Sequence, residues 1–108
     1  MKVYIAGAIA KDPDYREKFN RAADIVESLG HVALNPAILP DGLDQADYMR
    51  ICFAMLDSAD FILPLYDAKQ SEGAKVELAY CERIRKFTID MAMLCAVTEM
   101  QEERRKAV

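Results

Sequence analysis

No stretch of this 108-residue chain is apolar over the ~20 residues that a membrane-spanning helix needs. Its opening, Met1-Lys2-Val3-Tyr4-Ile5-Ala6-Gly7-Ala8-Ile9-Ala10-Lys11-Asp12, lacks a signal-peptide layout and runs directly into a strand-like segment. A cytoplasmic protein without a membrane partner is expected. A basic surplus is missing as well. Fourteen Lys and Arg against eighteen Asp and Glu leave a net charge of −4, which argues against a nucleic-acid polymer or an anionic bilayer as partner. Cysteine is sparse: Cys52, Cys81 and Cys95 are odd in number, widely spaced and set in apolar stretches. Neither a disulfide framework nor a zinc knuckle follows from that pattern, and free, partly buried thiols are expected. Glycine is short where nucleotide motifs need it. Gly7-Ala8-Ile9-Ala10 lacks the second and third glycines of a dinucleotide fingerprint, and no Gly-Lys-Ser/Thr phosphate loop occurs. Nicotinamide binding and nucleoside triphosphate hydrolysis are thereby disfavoured, and no cofactor or metal is expected.

What is present is the composition of an ordinary soluble globule, 53% hydrophobic and 30% charged, at a length that supports one core. A single domain over residues 1–108 is expected. Lys2–Ala6 is a short β-rich run closed by Gly7. Asp12-Pro13 offers an N-cap with proline at the first helical position. Tyr15, Phe19, Ala22, Val26 and Leu29 then recur at steps of four and three, the pattern of an amphipathic helix, and Gly30 is placed to stop it. The single histidine, His31, stands at this helix-to-strand junction and is read as structural or solvent-facing. His31–Leu34 is a second strand, ended by Asn35-Pro36. After the turn pair Asp41-Gly42, Asp44 with Asp47 marks a helix start of capping type. Tyr48, Cys52, Met55 and Ala59 form one stripe of that helix. Phe61–Leu65 is an apolar run of the kind buried between helix layers. Ser71–Lys86 reads as helix, Phe87–Met91 as a fourth strand, and 92–106 as a final helix. Alternating strands and helices imply a mostly parallel sheet with right-handed crossovers, an open α/β sandwich.

One side chain violates the amphipathic pattern. At roughly 100° per residue, Glu72, Lys75, Glu82, Arg83 and Lys86 gather on one arc of the Ser71–Lys86 helix. Ala74, Val76, Leu78, Tyr80, Cys81 and Ile84 take the other, and Glu77 falls near its middle. A carboxylate facing a core costs several kcal/mol unless it is paired, neutralised or facing a cavity. Gly73 and Ala74, one turn earlier, leave space beside it. Ligands of open α/β sheets bind outside the carboxyl ends of the strands. There the chain places Gly7, Ala8 and Ile9 after strand one, Asn35 after strand two, Tyr66 and Asp67 after strand three, and Ser71 and Gly73 at the start of the Glu77 helix. Ser71-x-Gly73 presents a hydroxyl and free backbone N–H groups at the positive end of the helix dipole, suited to a phosphate, a sugar hydroxyl or a carboxylate.

A lone cleft carboxylate fits covalent catalysis at a glycosidic carbon. Glu77 would attack the anomeric centre, a base or alcohol would leave, and water or an acceptor would resolve the ester. A second group should protonate the leaving group. Asp67 and Asp12 are the acids nearest the edge, with Asp57 and Asp60 read as structural.

Val3-Tyr4-Ile5-Ala6-Gly7, Leu29-Gly30-His31-Val32 with Asn35-Pro36, Ala59-Asp60-Phe61-Ile62, and Ser71-x-Gly73-Ala74-x-x-Glu77-Leu78-Ala79 occur in that order. This arrangement, over roughly residues 2 to 90, resembles the nucleoside 2-deoxyribosyltransferase-like family, particularly a short branch of it. The Ser-x-Gly-x-x-x-Glu segment is the most specific part of the likeness. The resemblance implies a flavodoxin-like three-layer sandwich with a four- or five-stranded sheet in the order 2-1-3-4. It also implies cleavage or transfer at the N-glycosidic bond of a nucleoside or nucleoside monophosphate, and a homodimer or larger homo-oligomer. Glu77 would be the nucleophile, Tyr4 would orient it, and Ser71 and Gly73 would line the sugar or phosphate site. Two positions depart from the pattern. Ala8 stands where proline is common. Cys52, eight residues before Asp60, stands where the family carries an Asp that holds the sugar and serves proton transfer. A thiol replaces neither function.

Three readings follow: an N-glycosidase or deoxyribosyltransferase acting through Glu77; a catalytically silent nucleotide-binding module, which Cys52 favours; and an interaction domain in which an arginine such as Arg50 or Arg85 ties up Glu77. The apolar run Met91–Val97 serves either an oligomer interface or the core.

Overall fold

A computed structural model describes residues 1–107. The elements are β1 (Lys2–Ala6), α1 (Tyr15–Ser28), β2 (Val32–Leu34), α2 (Gln45–Ser58), β3 (Phe61–Pro64), α3 (Glu72–Arg83) and α4 (Met91–Lys106). Short 3-10 turns at Pro36–Ile38 and Ala68–Gln70 carry the chain from β2 and β3 towards the next helix. The three strands are parallel in the order β2-β1-β3. Tyr4 pairs with Leu34 on one side and Ile62 on the other.

Side chains alternate faces along β1, as the period-2 geometry of a strand requires. Val3 and Ile5 join Phe19, Ala22, Ala23 and Val26 of α1 and Leu94 of α4 in one apolar cluster. Tyr4 and Ala6 join Cys52 and Leu56 of α2 and Cys81 of α3 in another. The sheet is therefore covered on both faces, which explains why β1, after its first residue, is apolar and buried throughout.

The fourth expected strand does not form. Phe87–Met91 reduces to one parallel bridge, Thr88 against Ile62, in which Ile62 N–H donates to Phe87 O and Ile89 N–H to Ile62 O. Asp90 ends the pairing because it caps α4, its carboxylate accepting from Met93 N–H at 2.7 Å. Phe87, just before the bridge, is exposed, so nothing on its outer side supports a longer ladder. The sheet thus keeps the expected order with three strands in place of four or five. The Met91–Val97 run divides: Leu94 is in the core with Met91 and Val97 against it, and Met93 stays exposed.

Two helix starts also differ. α1 begins at Tyr15, not at Asp12-Pro13. Asp12 spends its carboxylate on the backbone N–H of Asp14 and on Lys18, closing a local turn instead of capping. Asp44 does precede α2, but its side chain makes no capping bond, and Asp47 pairs with Arg50.

Candidate active site

In a parallel α/β unit the first turn of each helix follows the carboxyl end of a strand, so the starts of α1, α2 and α3 converge on one edge of the sheet. A cleft of about 310 Å³ opens there, lined by Gly7, Ile9, Ala10, Tyr15, Asp41, Gln45, Tyr48, Met49, Cys52, Ser71, Gly73, Ala74 and Glu77.

Glu77, on the second turn of α3, is only 8% exposed. Its Oε2 accepts a hydrogen bond from the hydroxyl of Tyr4, itself fully buried on the central strand. Among the described residues no buried side-chain oxygen lacks a partner, and Oε1 has no protein donor, so Oε1 is open to the cleft. Burial pushes the Glu77 carboxyl up from 4.5 to about 7, with the Tyr4 hydrogen bond pulling the other way. Burial and the neighbouring carboxylate drive the Tyr4 phenol far upward, so it remains a donor. Burial likewise raises the Cys52 thiol, which stays protonated at neutral pH. No arginine reaches Glu77: Arg50 is bound to Asp47, and Arg85, exposed, sits beyond the end of α3 in a left-handed conformation at φ 58°. The arrangement that would tie up this carboxylate is therefore not formed.

Ser71 caps α3, its Oγ accepting from Ala74 N–H. With that oxygen and Lys75 N–H bound to Ser71 O, the N–H groups of Glu72 and Gly73 remain at the helix start. Gly73 has open space around the position a Cβ would take, the nearest atom being Ser71 Oγ at 4.0 Å. Gly7 is constrained in the opposite way. An added Cβ would lie 2.9 Å from Leu65 Cδ1 and 3.2 Å from Asp67 Oδ1, so only glycine lets the β1–α1 loop approach the loop after β3.

Glu77, Cys52, Ser71, Gly73, Gly7 and Ile9 thus meet in one cleft, with Tyr4 directly behind the carboxylate. Three other expected site residues do not join them. Asp67 is buried, but its carboxylate pairs with Lys18 and accepts from Ala8 N–H. Both oxygens are taken, and it is not a free acid for a leaving group. Ala8 is consumed by the same bond. Asn35 is also buried and structural: Oδ1 accepts from Ala37 N–H and Nδ2 donates to Asn20. Asp12, the other acid near the edge, is bound to Lys18 and held below its ordinary pKa by that ammonium and by Asp14 N–H.

Tyr15, Asp41, Gln45, Tyr48 and Met49 enter the site without a motif to announce them. The signal available was positional. Tyr15 and Gln45 are the first residues of α1 and α2, and those turns must face the strand ends. The loop before α2 is drawn in by Arg16, which donates to the carbonyls of Ala37 and Leu39 and forms an ion pair with Asp41. Tyr48 fastens the same loop by donating to Pro40 O at 2.6 Å. Among the described residues no three His, Cys, Asp or Glu side chains are grouped as a metal site would require, and no helix is long and apolar enough to cross a membrane.

Comparison with curated proteins returns no match. A family profile described as "Domain of unknown function (DUF4406)" covers residues 1–90. That span holds the three strands, the Thr88 bridge and every side chain that lines the cleft, and leaves α4 outside. On this match over most of its length, the chain belongs to the DUF4406 family.

Proposed function

We propose that the cleft binds a nucleoside or nucleoside monophosphate and that Glu77 cleaves its N-glycosidic bond. The observation that carries this reading is a desolvated carboxylate with one oxygen fixed by Tyr4 and the other open to a cleft. Desolvation makes a carboxylate a better nucleophile, and a pKa near 7 leaves a substantial ionised fraction at neutral pH. Positive charge developing at the anomeric carbon would favour the ionised form further. Oε1 would form a bond to that carbon as the carbon–nitrogen bond breaks and its electron pair leaves with the base. The base would take a proton from water entering the open mouth of the cleft. Water, or a second base in a transfer reaction, would then attack the same carbon and release Glu77 as carboxylate. Tyr4 is a positioning residue in this scheme. The aromatic faces of Tyr15 and Tyr48 supply the flat apolar surface that a nucleobase stacks on. The resemblance to the nucleoside 2-deoxyribosyltransferase-like family, and with it a flavodoxin-like reading of the fold and a homo-oligomeric assembly, belongs to this proposal.

A second reading is favoured by one feature, the absence of a free acid beside Glu77 among the described residues. Cys52 holds the wall there, Asp67 is bound to Lys18, and Asp41 is bound to Arg16. On that basis the cleft would bind its ligand without turning it over.

The test is incubation with each 2′-deoxynucleoside and its 5′-monophosphate, following free base by chromatography alongside thermal stabilisation. Base release that Glu77→Gln abolishes supports catalysis. Stabilisation without release supports the silent module. Neither effect with any of these ligands removes both readings.

A further inference from the structure

The charges around the cleft are uneven. Its described lining includes two carboxylates, Asp41 and Glu77, and no lysine, arginine or histidine. The two cations that α1 brings to this edge are already neutralised. Arg16 uses Nε on Ala37 O, Nη1 on Asp41, and Nη2 on both Leu39 O and Asp41. Lys18 is bound between Asp12 and Asp67. A further positive feature is the start of α3, equivalent to about half an elementary charge, and Glu72 already lies in that first turn.

Resting on the nucleoside reading above, we infer that the cleft takes an uncharged nucleoside in preference to its 5′-phosphate. A phosphate group at neutral pH carries most of two negative charges. In the cleft it would meet Glu77, and an Asp41 whose charge Arg16 already balances, with no unpaired cation lining the wall to receive it. It would also work against the chemistry, because a dianion close to Glu77 favours the protonated carboxyl, which cannot attack carbon. A neutral 5′-hydroxyl avoids both effects. It finds suitable partners in the backbone N–H groups of Glu72 and Gly73, which bind a hydroxyl oxygen as readily as an anion. Phosphate sites built for turnover place arginine or lysine on the anion, whereas here Arg16 is committed to Asp41.

The experiment compares, at low and high ionic strength, binding and base release for each 2′-deoxynucleoside and the matching 5′-monophosphate. The nucleoside is expected to win by about tenfold or more in kcat/KM or Kd at low salt, the gap narrowing as salt screens the repulsion. A second arm uses Asp41→Asn, which removes one carboxylate from the wall and frees Arg16. It should shift the ratio several-fold towards the monophosphate. Monophosphates binding or reacting as well as nucleosides would overturn the inference and leave the N-glycosidic reading standing. A preference that neither salt nor Asp41→Asn changes would also overturn it, since charge would not be the discriminator. Failure of every nucleoside and monophosphate to bind or react would remove the parent reading and this inference together.

Discussion

The hydroxyl of Tyr4 on the central strand donates to Glu77 Oε2 on the third helix, across 73 residues of sequence. That one bond fixes the rotamer of a carboxylate which burial would otherwise make costly. It also couples the stability of the fold to the protonation of its candidate nucleophile.

The coupling has a defined sign. Glu77 has its pKa raised from 4.5 to about 7 in the folded chain. Between those values the folded state holds more protons than the unfolded state, so stability falls as pH rises. The contribution is complete below the unfolded value and lost by the time pH passes the folded one. The full swing is on the order of 3 kcal/mol. Glu77→Gln, which keeps the shape and still accepts from Tyr4, should flatten this slope between pH 4.5 and 7 and be the more stable protein at pH 8. Urea denaturation across that range measures it. An unchanged slope in the variant would assign the dependence to other groups.

Tyr4→Phe tests the same bond kinetically. The Tyr4 hydroxyl favours the ionised carboxylate, so its loss should push the Glu77 pKa higher still. The pH profile of base release should therefore rise at more alkaline pH than in the parent, where the rise is expected near 7. At neutral pH the rate should drop by about tenfold or more. Reduced activity with the profile unmoved would mean that Tyr4 only fills the core.

Much of this geometry was legible in the chain. Glu77 breaks the apolar arc of α3, and a side chain that breaks its own pattern carries information that tertiary structure need not supply. β1 and β3 follow from apolar runs alternating with helical periods, whereas the order of the sheet comes only from the family resemblance. The residues that were not legible depend on partners distant in sequence. Asp67 and a free active-site acid are indistinguishable until Lys18 is known to lie beside it. Asn35 reads as a strand-end polar group until Asn20, on α1, claims its amide nitrogen. The wall formed by Asp41 and Tyr48 depends on Arg16 pulling in the loop before α2, which no local propensity encodes. The fourth strand does not form for a local reason: Asp90, within the expected Phe87–Met91 strand, acts as the cap of α4.

Cys52→Asp would restore an acid to the cleft wall near Glu77. The new carboxyl would be largely buried, since Cys52 is 8% exposed, and should cost about 2 kcal/mol of stability. Two carboxyls in this space disfavour double ionisation, so one would stay protonated to a higher pH and act as proton donor. Base release is expected to increase about tenfold or more over the parent, while Cys52→Ala leaves it unchanged or lower. If Cys52→Asp folds and shows no gain over Cys52→Ala, a missing acid is not what limits turnover.

Gly7→Ala places a methyl 2.9 Å from Leu65 Cδ1 and 3.2 Å from both Leu65 Cβ and Asp67 Oδ1. The leucine tip can swing away, but Asp67 Oδ1 is held by Ala8 N–H. The β1–α1 loop should therefore shift, at a cost of about 1–3 kcal/mol. Because Gly7 and Ile9 form part of the cleft wall, KM or ligand Kd should rise as well. A variant of parental stability with unaltered binding would show that the two loops separate freely.

The Lys18 cluster ties that loop to the loop after β3. Lys18, on the second turn of α1, joins Asp12 before the helix to Asp67 after β3, with side chains 12%, 27% and 10% exposed. Two carboxylates around one ammonium in a water-poor site depend on it. Lys18→Met should leave Asp67 buried without its counter-ion and cost about 3 kcal/mol. Adding Asp67→Asn removes the stranded charge while keeping an oxygen for Ala8 N–H. The double variant should therefore be more stable than Lys18→Met alone, even though it carries one more substitution. Such strong non-additivity in a double-mutant cycle, read by urea denaturation, is the signature of a coupled buried pair. Simple addition of the two single costs would mean that the ammonium and Asp67 act independently, and that the loops around the cleft are held by packing alone.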